Sequence, residues 1–111
     1  MSDQQFIKNY LQDFIEALKP DDDSVESLIQ VRNLLLEVNS NKKKALIFGN
    51  GGSAAIASHF SVDLTKNAKI KCLNFNEASL ITCLANDYGF EHWAEKAIEF
   101  YGNEGDLLIV I

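Results

Sequence analysis

The chain has 111 residues, 47% of them hydrophobic, a length that supports one modest core rather than two independent domains. Sixteen acidic and ten basic residues give a formal net charge of -6, and the basic residues form no long stripe that could neutralise a nucleic-acid backbone. Because there is also no secretory signal and no long apolar run, we expect a cytoplasmic protein with no direct nucleic-acid partner and no membrane association.

Two amphipathic helices are predicted before the first strand. In the first, apolar residues recur at three-to-four spacing from Phe6 to Leu18, and Pro20 ends the helix. The second begins in the acidic cluster that follows, where Asp23 is the candidate cap. The excess apolar surface of the two helices favours packing between subunits of a homo-oligomer. Burial of the same surface within one chain is the alternative that the periodicity leaves open.

Strands and helices alternate in the remainder of the chain. The predicted elements are a strand at 45–48, a helix at 53–66, a strand at 70–75, a helix at 77–85, a loop at 86–89, a helix at 91–101 and a strand at 106–111. This order predicts an α/β layered fold around a parallel sheet. Because the last predicted strand is also the end of the chain, we expect residues 1–111 to be the front part of a single longer domain.

Three smaller features have simple structural interpretations. The run from Lys42 to Lys44 is interpreted as a solvated segment leading into the first strand rather than as a phosphate clamp. Cys72 and Cys83 match neither a metal knuckle nor a disulfide framework, and their apolar surroundings predict buried free thiols. Asp106 is expected to shape the turn before the last strand.

A glycine-rich turn, Gly49-Asn50-Gly51-Gly52-Ser53, connects the first strand to a helix. Glycines allow a ligand to approach the backbone closely, and unpaired amides at the start of a helix attract an anion. Asn50 and Ser53 add small side chains that can bind a sugar hydroxyl or a phosphate oxygen. Ser53 can equally be an ordinary helix cap.

The same turn also satisfies the Gly-x-Gly-x-x-Ala form of the dinucleotide fingerprint, so a nicotinamide or flavin enzyme is an alternative. That alternative requires an acidic residue at the end of the next strand, which would bind the ribose. The second strand leads instead into Asn74 and Asn76, with Glu77 slightly late. We therefore expect no nucleotide cofactor.

His59 and Asp63 lie four residues apart and share one face of the helix that follows the turn. A histidine and a carboxylate at this spacing can bind one metal ion, or the carboxylate can act as a base that its neighbour orients. An unremarkable surface pair is the alternative. The position of the pair after the glycine turn favours a functional role.

Several motifs together resemble the sugar isomerase domain family, and within it the phosphoheptose isomerases. They are Gly49-Asn50-Gly51-Gly52-Ser53-Ala54-Ala55, His59-Phe60, Asp63-Leu64-Thr65, Ala85-Asn86-Asp87-Tyr88-Gly89-Phe90 and Gly102-Asn103-Glu104-Gly105-Asp106. The similarity runs along essentially all of this chain but covers only the front part of the family's domain. It implies a three-layer sandwich with a flavodoxin-like parallel sheet, preceded by two N-terminal helices and usually assembled as a homotetramer.

The resemblance also implies a reaction. Phosphoheptose isomerases convert sedoheptulose 7-phosphate to D-glycero-D-manno-heptose 7-phosphate for surface polysaccharide such as lipopolysaccharide or capsule, through an enediolate that needs a base and an oxyanion-stabilising group. Carried onto this chain, His59 and Asp63 are expected to bind zinc and to act in catalysis. Asn50, Gly51, Gly52, Ser53 and Asp87 are expected to bind the phosphorylated sugar.

The sequence departs from the family pattern at several positions. Asp63 stands where the family has a glutamate, Ile56 where it often has an aspartate, and 66–68 where a Gly-Arg-aromatic segment is common. The family's second phosphate loop and its later glutamine and histidine are not among these residues. A regulatory protein of the same fold, which senses a sugar phosphate or binds the replication initiator without catalysis, is therefore the alternative function.

Overall fold

The computed structural model describes residues 1–111. In chain order its elements are α1 (Asp3–Ala17), α2 (Asp22–Ser40), β1 (Ala45–Phe48), α3 (Gly52–Lys66), β2 (Cys72–Asn74), α4 (Ala78–Tyr88), a 3-10 turn (Phe90–His92), α5 (Trp93–Tyr101) and β3 (Leu107–Val110). The residues form two units, Met1–Val31 and Arg32–Ile111. That residues 1–111 belong to one domain stays a prediction. None of the helices combines the length and the hydropathy that crossing a membrane requires.

The first unit contains α1 and the beginning of α2. The Ser2 hydroxyl accepts a hydrogen bond from the Gln5 amide and caps α1. Asp21 Oδ1 accepts from the Ser24 amide at 2.7 Å, so Asp21 caps α2 and the prediction that Asp23 does so was wrong. No residue of α1 is buried, and its apolar side chains, such as Phe6 and Phe14, are more than half exposed. The apolar side chains of α1 are therefore exposed in this chain, whereas Leu35 and Val38 of α2 are buried within it.

The second unit is built around a three-stranded parallel sheet in the order β2-β1-β3. β1 is the central strand, and its residue Ala45 lies opposite both Cys72 and Leu107. All four residues of β1 are buried, as expected for a short apolar run covered on both faces. β2 is shorter than the predicted 70–75, although Ile70 and Phe75 beside it are buried.

Helices cover both faces of this sheet. One face carries a hydrophobic cluster from α2, α3 and alternate strand residues: Leu35, Ala45, Ile47, Ala57, Leu64, Ile70 and Cys72. The other face packs on α4 and α5 through a second cluster: Leu46, Phe48, Phe75, Leu84 and Ala97. Successive β1 residues alternate between the two clusters because strand side chains point to opposite faces. This arrangement confirms the predicted three-layer α/β fold.

Two further local predictions were wrong. Residues 86–88, predicted as part of a loop, form the last turn of α4, because Gly89 ends the helix with a φ of 93° and donates its N–H to Ala85 O. Cys83 was predicted to be buried but is exposed, whereas Cys72 is buried as predicted. Burial raises the pKa of the Cys72 thiol to about 11.

Candidate functional site

The glycine turn after β1 is shaped by close backbone packing. A Cβ added to Gly49 would lie 2.4 Å from the carbonyl carbon of Ser53, so only glycine fits there. Gly51 has a φ of 59°, in the left-handed region that favours glycine, and it is the cap residue of α3. Ser53 lies inside the first turn of the helix, and its side chain makes no capping bond. The alternative in which Ser53 caps α3 is therefore wrong.

The amides at the start of α3 are only partly free. Ser53 N–H donates to Asn50 O and Ala54 N–H donates to Gly51 O, both at 3.1 Å, which corrects the expectation that the first helical amides are unpaired. The N–H groups of Gly51 and Gly52 have no acceptor in the chain. Both glycines are exposed, and so is Asn50. The turn therefore offers two free main-chain donors and one amide side chain to a ligand.

A cavity of about 300 Å³ opens beside this turn. Its lining comes from the ends of β1 and β3, the 3-10 turn and the start of α5, namely Phe48, Gly49, Asn50, Phe90, Glu91, Trp93, Ala94, Val110 and Ile111. From β1 the chain passes to β2 on one side of the sheet and then to β3 on the other side of β1. The strand order therefore reverses between β1 and β3. Ligands of open α/β sheets bind at the carboxyl ends of strands at such a switch point.

A larger cavity of about 440 Å³ lies between α4 and α5. Most of its lining is apolar, from residues such as Leu80, Leu84 and Phe100, and it is separate from the glycine turn. The smaller cavity combines the switch point, the free amides and polar side chains, so it is the better candidate for a phosphorylated sugar.

Glu91 was not singled out from the sequence. It supplies the only carboxylate among the residues that line the cavity beside the turn. A carboxylate in that position can accept hydrogen bonds from sugar hydroxyls. The signal that could have found it is its place directly after Gly89 and Phe90, just after the end of α4.

His59 and Asp63 do pair on one face of α3, with 3.4 Å between His59 Nε2 and Asp63 Oδ2. The His59 side chain is 81% exposed and that of Asp63 is 49% exposed. Asn67 Nδ2 donates to the other Asp63 oxygen at 3.2 Å. Neither residue lines the cavity beside the turn. At 1.5 Å per residue, His59 lies roughly 10 Å and Asp63 roughly 16 Å beyond Gly52 along the helix axis.

Two donors do not make a zinc site. Catalytic zinc has three protein ligands and structural zinc has four. No group of three or more histidine, cysteine, aspartate or glutamate side chains in the structure is arranged to hold a metal ion. The residues of this chain alone therefore do not fit zinc, and a complete site needs ligands from outside them.

Asp87 lies in the last turn of α4 and is exposed. Its carboxylate accepts from the Asn86 amide at 3.1 Å and from the Cys83 thiol at 3.7 Å. Asp87 is not among the residues that line the cavity. Its predicted contact with the sugar stays a prediction, as do the roles predicted for the other site residues.

Glu77, the acidic residue considered for a dinucleotide ribose, has another use. Its carboxylate accepts hydrogen bonds from the amides of Leu80 at 2.8 Å and Ser79 at 3.1 Å and so caps α4. These bonds hold the pKa of Glu77 below its ordinary value. The carboxylate is thus already engaged with the start of the helix.

Two curated relatives of the chain are phosphoheptose isomerases. No family model matches the chain. It is 40% identical over 103 residues to a phosphoheptose isomerase from Helicobacter pylori (strain P12), covering 86% of this chain and 54% of the relative. It is also 40% identical over 87 residues to a phosphoheptose isomerase from Fusobacterium nucleatum, covering 74% and 45%. The chain thus spans about half the length of the curated relatives it matches.

Solved structures agree with the sequence comparison. The chain matches a phosphoheptose isomerase from Neisseria gonorrhoeae with a TM-score of 0.88 and 32% identity, over 98% of this chain and 60% of that one. A phosphoheptose isomerase from Francisella tularensis gives a TM-score of 0.82 and 27% identity, over 99% and 60%. The shared fold therefore includes nearly every residue of this chain.

Proposed function

The chain belongs to the phosphoheptose isomerase family. We propose that the protein interconverts sedoheptulose 7-phosphate and D-glycero-D-manno-heptose 7-phosphate. We also propose that this reaction takes place in the cytoplasm and supplies a precursor of surface polysaccharide. The observation that carries the proposal is the cavity at the switch point between β1 and β3, with the glycine turn along its side. The relatives named above do not favour the alternative of a regulatory protein without catalysis.

The proposed reaction moves a proton between adjacent carbons of the sugar. A base removes the proton from the carbon beside the carbonyl group, and the electron pair forms an enediolate. The hydroxyl proton of that carbon passes to the former carbonyl oxygen, and the proton held by the base returns to the former carbonyl carbon. In our proposal the free N–H groups of Gly51 and Gly52 and the Asn50 amide bind phosphate or sugar oxygens. Glu91 accepts hydrogen bonds from sugar hydroxyls, and Asp63, oriented by His59, is the base.

Asp63 is one methylene shorter than the glutamate that the family resemblance expects at this position. A shift of about an ångström at a reacting group can cost about a hundredfold in rate. We therefore propose slow but measurable isomerisation rather than complete loss.

The glycine turn and the His59–Asp63 pair lie apart along α3, and this separation favours a site formed by two copies of the chain. A sugar held at the turn of one chain lies well away from the base on the same helix. The exposed apolar surface of α1 provides a means of association. We propose a homo-oligomer, a dimer or a tetramer, in which a second copy brings its glycine turn and cavity towards this pair.

The experiment is proton exchange on the substrate. Sedoheptulose 7-phosphate is incubated with the protein in deuterium oxide, and deuterium incorporation and the aldose product are followed by NMR. We expect both, and we expect Asp63→Ala to abolish them. Glu99→Gln is the matched control, because Glu99 pairs with Lys96 at 2.8 Å and neither residue lines the cavity beside the turn. Exchange that does not depend on Asp63 would remove Asp63 as the base, and absence of exchange with the wild-type protein would remove the function.

A further inference from the structure

Lysines gather at the amino ends of the strands, the end of the sheet opposite the glycine turn. Because β1 and β2 are parallel neighbours, the residues before β1 lie beside those before β2, and Ala45 N–H donates to Lys71 O at 2.8 Å. The members of this lysine cluster are Lys42, Lys43, Lys44, Lys69 and Lys71. They are half of the ten basic residues of a chain whose net charge is -6.

The lysine cluster lines two cavities that share Lys42, Lys43 and Lys71. One is about 300 Å³ and also includes Lys44, Asn103 and Asp106, and the other is about 230 Å³ and includes Asn39 and Lys69. Every residue that lines either cavity is a lysine, an asparagine or an aspartate. Three of the five lysines therefore line both cavities, and the other two each line one.

Most of the positive charge in this space has no acidic partner. Asp106 is the only carboxylate in the lining, and it already pairs with Lys44. Lys69 Nζ donates to the backbone carbonyl of Lys66. Lys42, Lys43 and Lys71 form no ion pair. Ammonium groups held together without counter-charges repel each other, and an anion that binds between them relieves this repulsion.

The sequence interpretation of Lys42 to Lys44 as a solvated segment did not include Lys69 and Lys71, which the fold brings beside them. We propose that the lysine cluster binds the polyphosphate group of a small molecule, such as the di- or triphosphate of a nucleotide. Several adjacent phosphates match several adjacent ammonium groups, and the two cavities are of the size of such a group. A duplex nucleic acid needs a longer basic surface than this one, and the acidic remainder of the chain repels it. The site is separate from the glycine turn, and the proposal does not depend on the isomerase function.

The test is isothermal titration of the protein with inorganic tripolyphosphate at increasing sodium chloride concentrations. We expect one saturable site per chain whose affinity falls as salt is added. Lys42→Gly and Lys71→Gln together should lower the affinity about tenfold, since each exposed charge pair contributes modestly. Lys42 has a φ of 57°, so glycine suits its backbone and the variant should fold. Circular dichroism verifies the fold.

Lys8→Gln, on α1, is the matched control and should leave the affinity unchanged. ATP and a single-stranded oligonucleotide are titrated in parallel. Binding of ATP at the affinity of tripolyphosphate or better supports the proposal. Absence of saturable binding, an equal loss with Lys8→Gln, or tighter binding of the oligonucleotide would overturn it.

Discussion

The Asp106 carboxylate accepts a hydrogen bond of 2.5 Å from the Lys44 ammonium, across 62 positions of sequence. It also accepts from the amides of Lys44 at 3.1 Å and Asn103 at 2.8 Å. Only 6% of the Asp106 side chain is exposed. Burial alone would raise its pKa, but these hydrogen bonds lower it below the ordinary value. The carboxylate thereby joins the amino ends of β1 and β3.

We expect Asp106→Asn to lower the free energy of unfolding by about 2 kcal/mol near neutral pH, because a charged hydrogen-bond acceptor is lost. The folded pKa is lower than the unfolded one, so the wild-type advantage is complete above the unfolded pKa of about 3.9 and is lost as pH falls through the folded value. Urea unfolding from neutral pH to about pH 3 measures it. Glu99→Gln, at an exposed pair, is the control. A stability difference independent of pH would contradict this account.

Asn76 attaches the end of β2 to the first turns of α3. Its Nδ2 donates to Ala54 O and to Ser58 Oγ, both at 2.7 Å. We expect Asn76→Ala to destabilise the protein by about 2 kcal/mol and to speed hydrogen exchange of the Ser53 and Ala54 amides more than elsewhere.

The control for Asn76 is Asn67→Ala, which removes an exposed hydrogen bond to Asp63. It should change the free energy of unfolding by less than about 0.5 kcal/mol. Uniform acceleration of exchange throughout the second unit in Asn76→Ala would show that the side chain stabilises the fold in general and does not position the turn.

Gly49 and Gly52 lie in one turn but tolerate a methyl group very differently. A Cβ on Gly49 would meet the Ser53 backbone at 2.4 Å, whereas one on Gly52 meets nothing within 4 Å. We expect Gly49→Ala to cost about 3 kcal/mol or to displace the turn, and Gly52→Ala to leave stability within about 0.5 kcal/mol. Thermal unfolding of the two variants provides the comparison. Equal losses would mean that the turn is less tightly packed than its geometry indicates.

Local patterns predicted β1 and the glycine turn. A short apolar run is typical of a buried strand, and the three glycines that follow it are typical of a turn. They failed at the end of α4, where Asn86 and Asp87 have the composition of a loop. There the helix continues until Gly89, whose left-handed backbone closes it. Composition indicated a turn in this segment but did not show which residue begins it.

The cavity and the lysine cluster depend on contacts between distant residues. The pairing of Lys44 with Asp106 and the position of Lys71 beside Ala45 follow from the register of parallel strands. Glu91 lines the cavity only because the carboxyl end of β1 lies next to the start of α5. A single sequence therefore predicts the turn as a binding element but not the rest of the cavity.

The two cysteines provide a test of the second unit's packing. Cys72 is buried with its thiol pKa raised to about 11, whereas Cys83 is exposed on α4. The thiolate is the reactive form, so a maleimide should label Cys83 quickly and Cys72 only after denaturation. Mass spectrometry of digested protein locates the label, and Cys83→Ser should leave the native protein almost unlabelled. Rapid labelling of Cys72 in that variant would contradict the packing of β2 against α3.

The proposed sharing of the site between copies predicts complementation. Asn50→Ala removes a side chain at the cavity, and Asp63→Ala removes the base on α3, so each variant alone should be inactive. When the two are mixed and allowed to exchange subunits, some sites combine an intact turn from one copy with an intact Asp63 from the other. We expect exchange of the substrate proton to return in the mixture.

Two matched measurements make this result decisive. Mixing Asp63→Ala with a His59→Ala variant should restore nothing, because both changes affect the same surface of one helix. A third mixture contains variants that also carry Phe6→Ser and Phe14→Ser, which replace exposed apolar residues of α1. It should lose activity together with oligomer mass in sedimentation. No activity in the first mixture would show that each copy contains its own turn and base. Activity restored equally in all three mixtures would show that the recovery does not come from a site shared between copies.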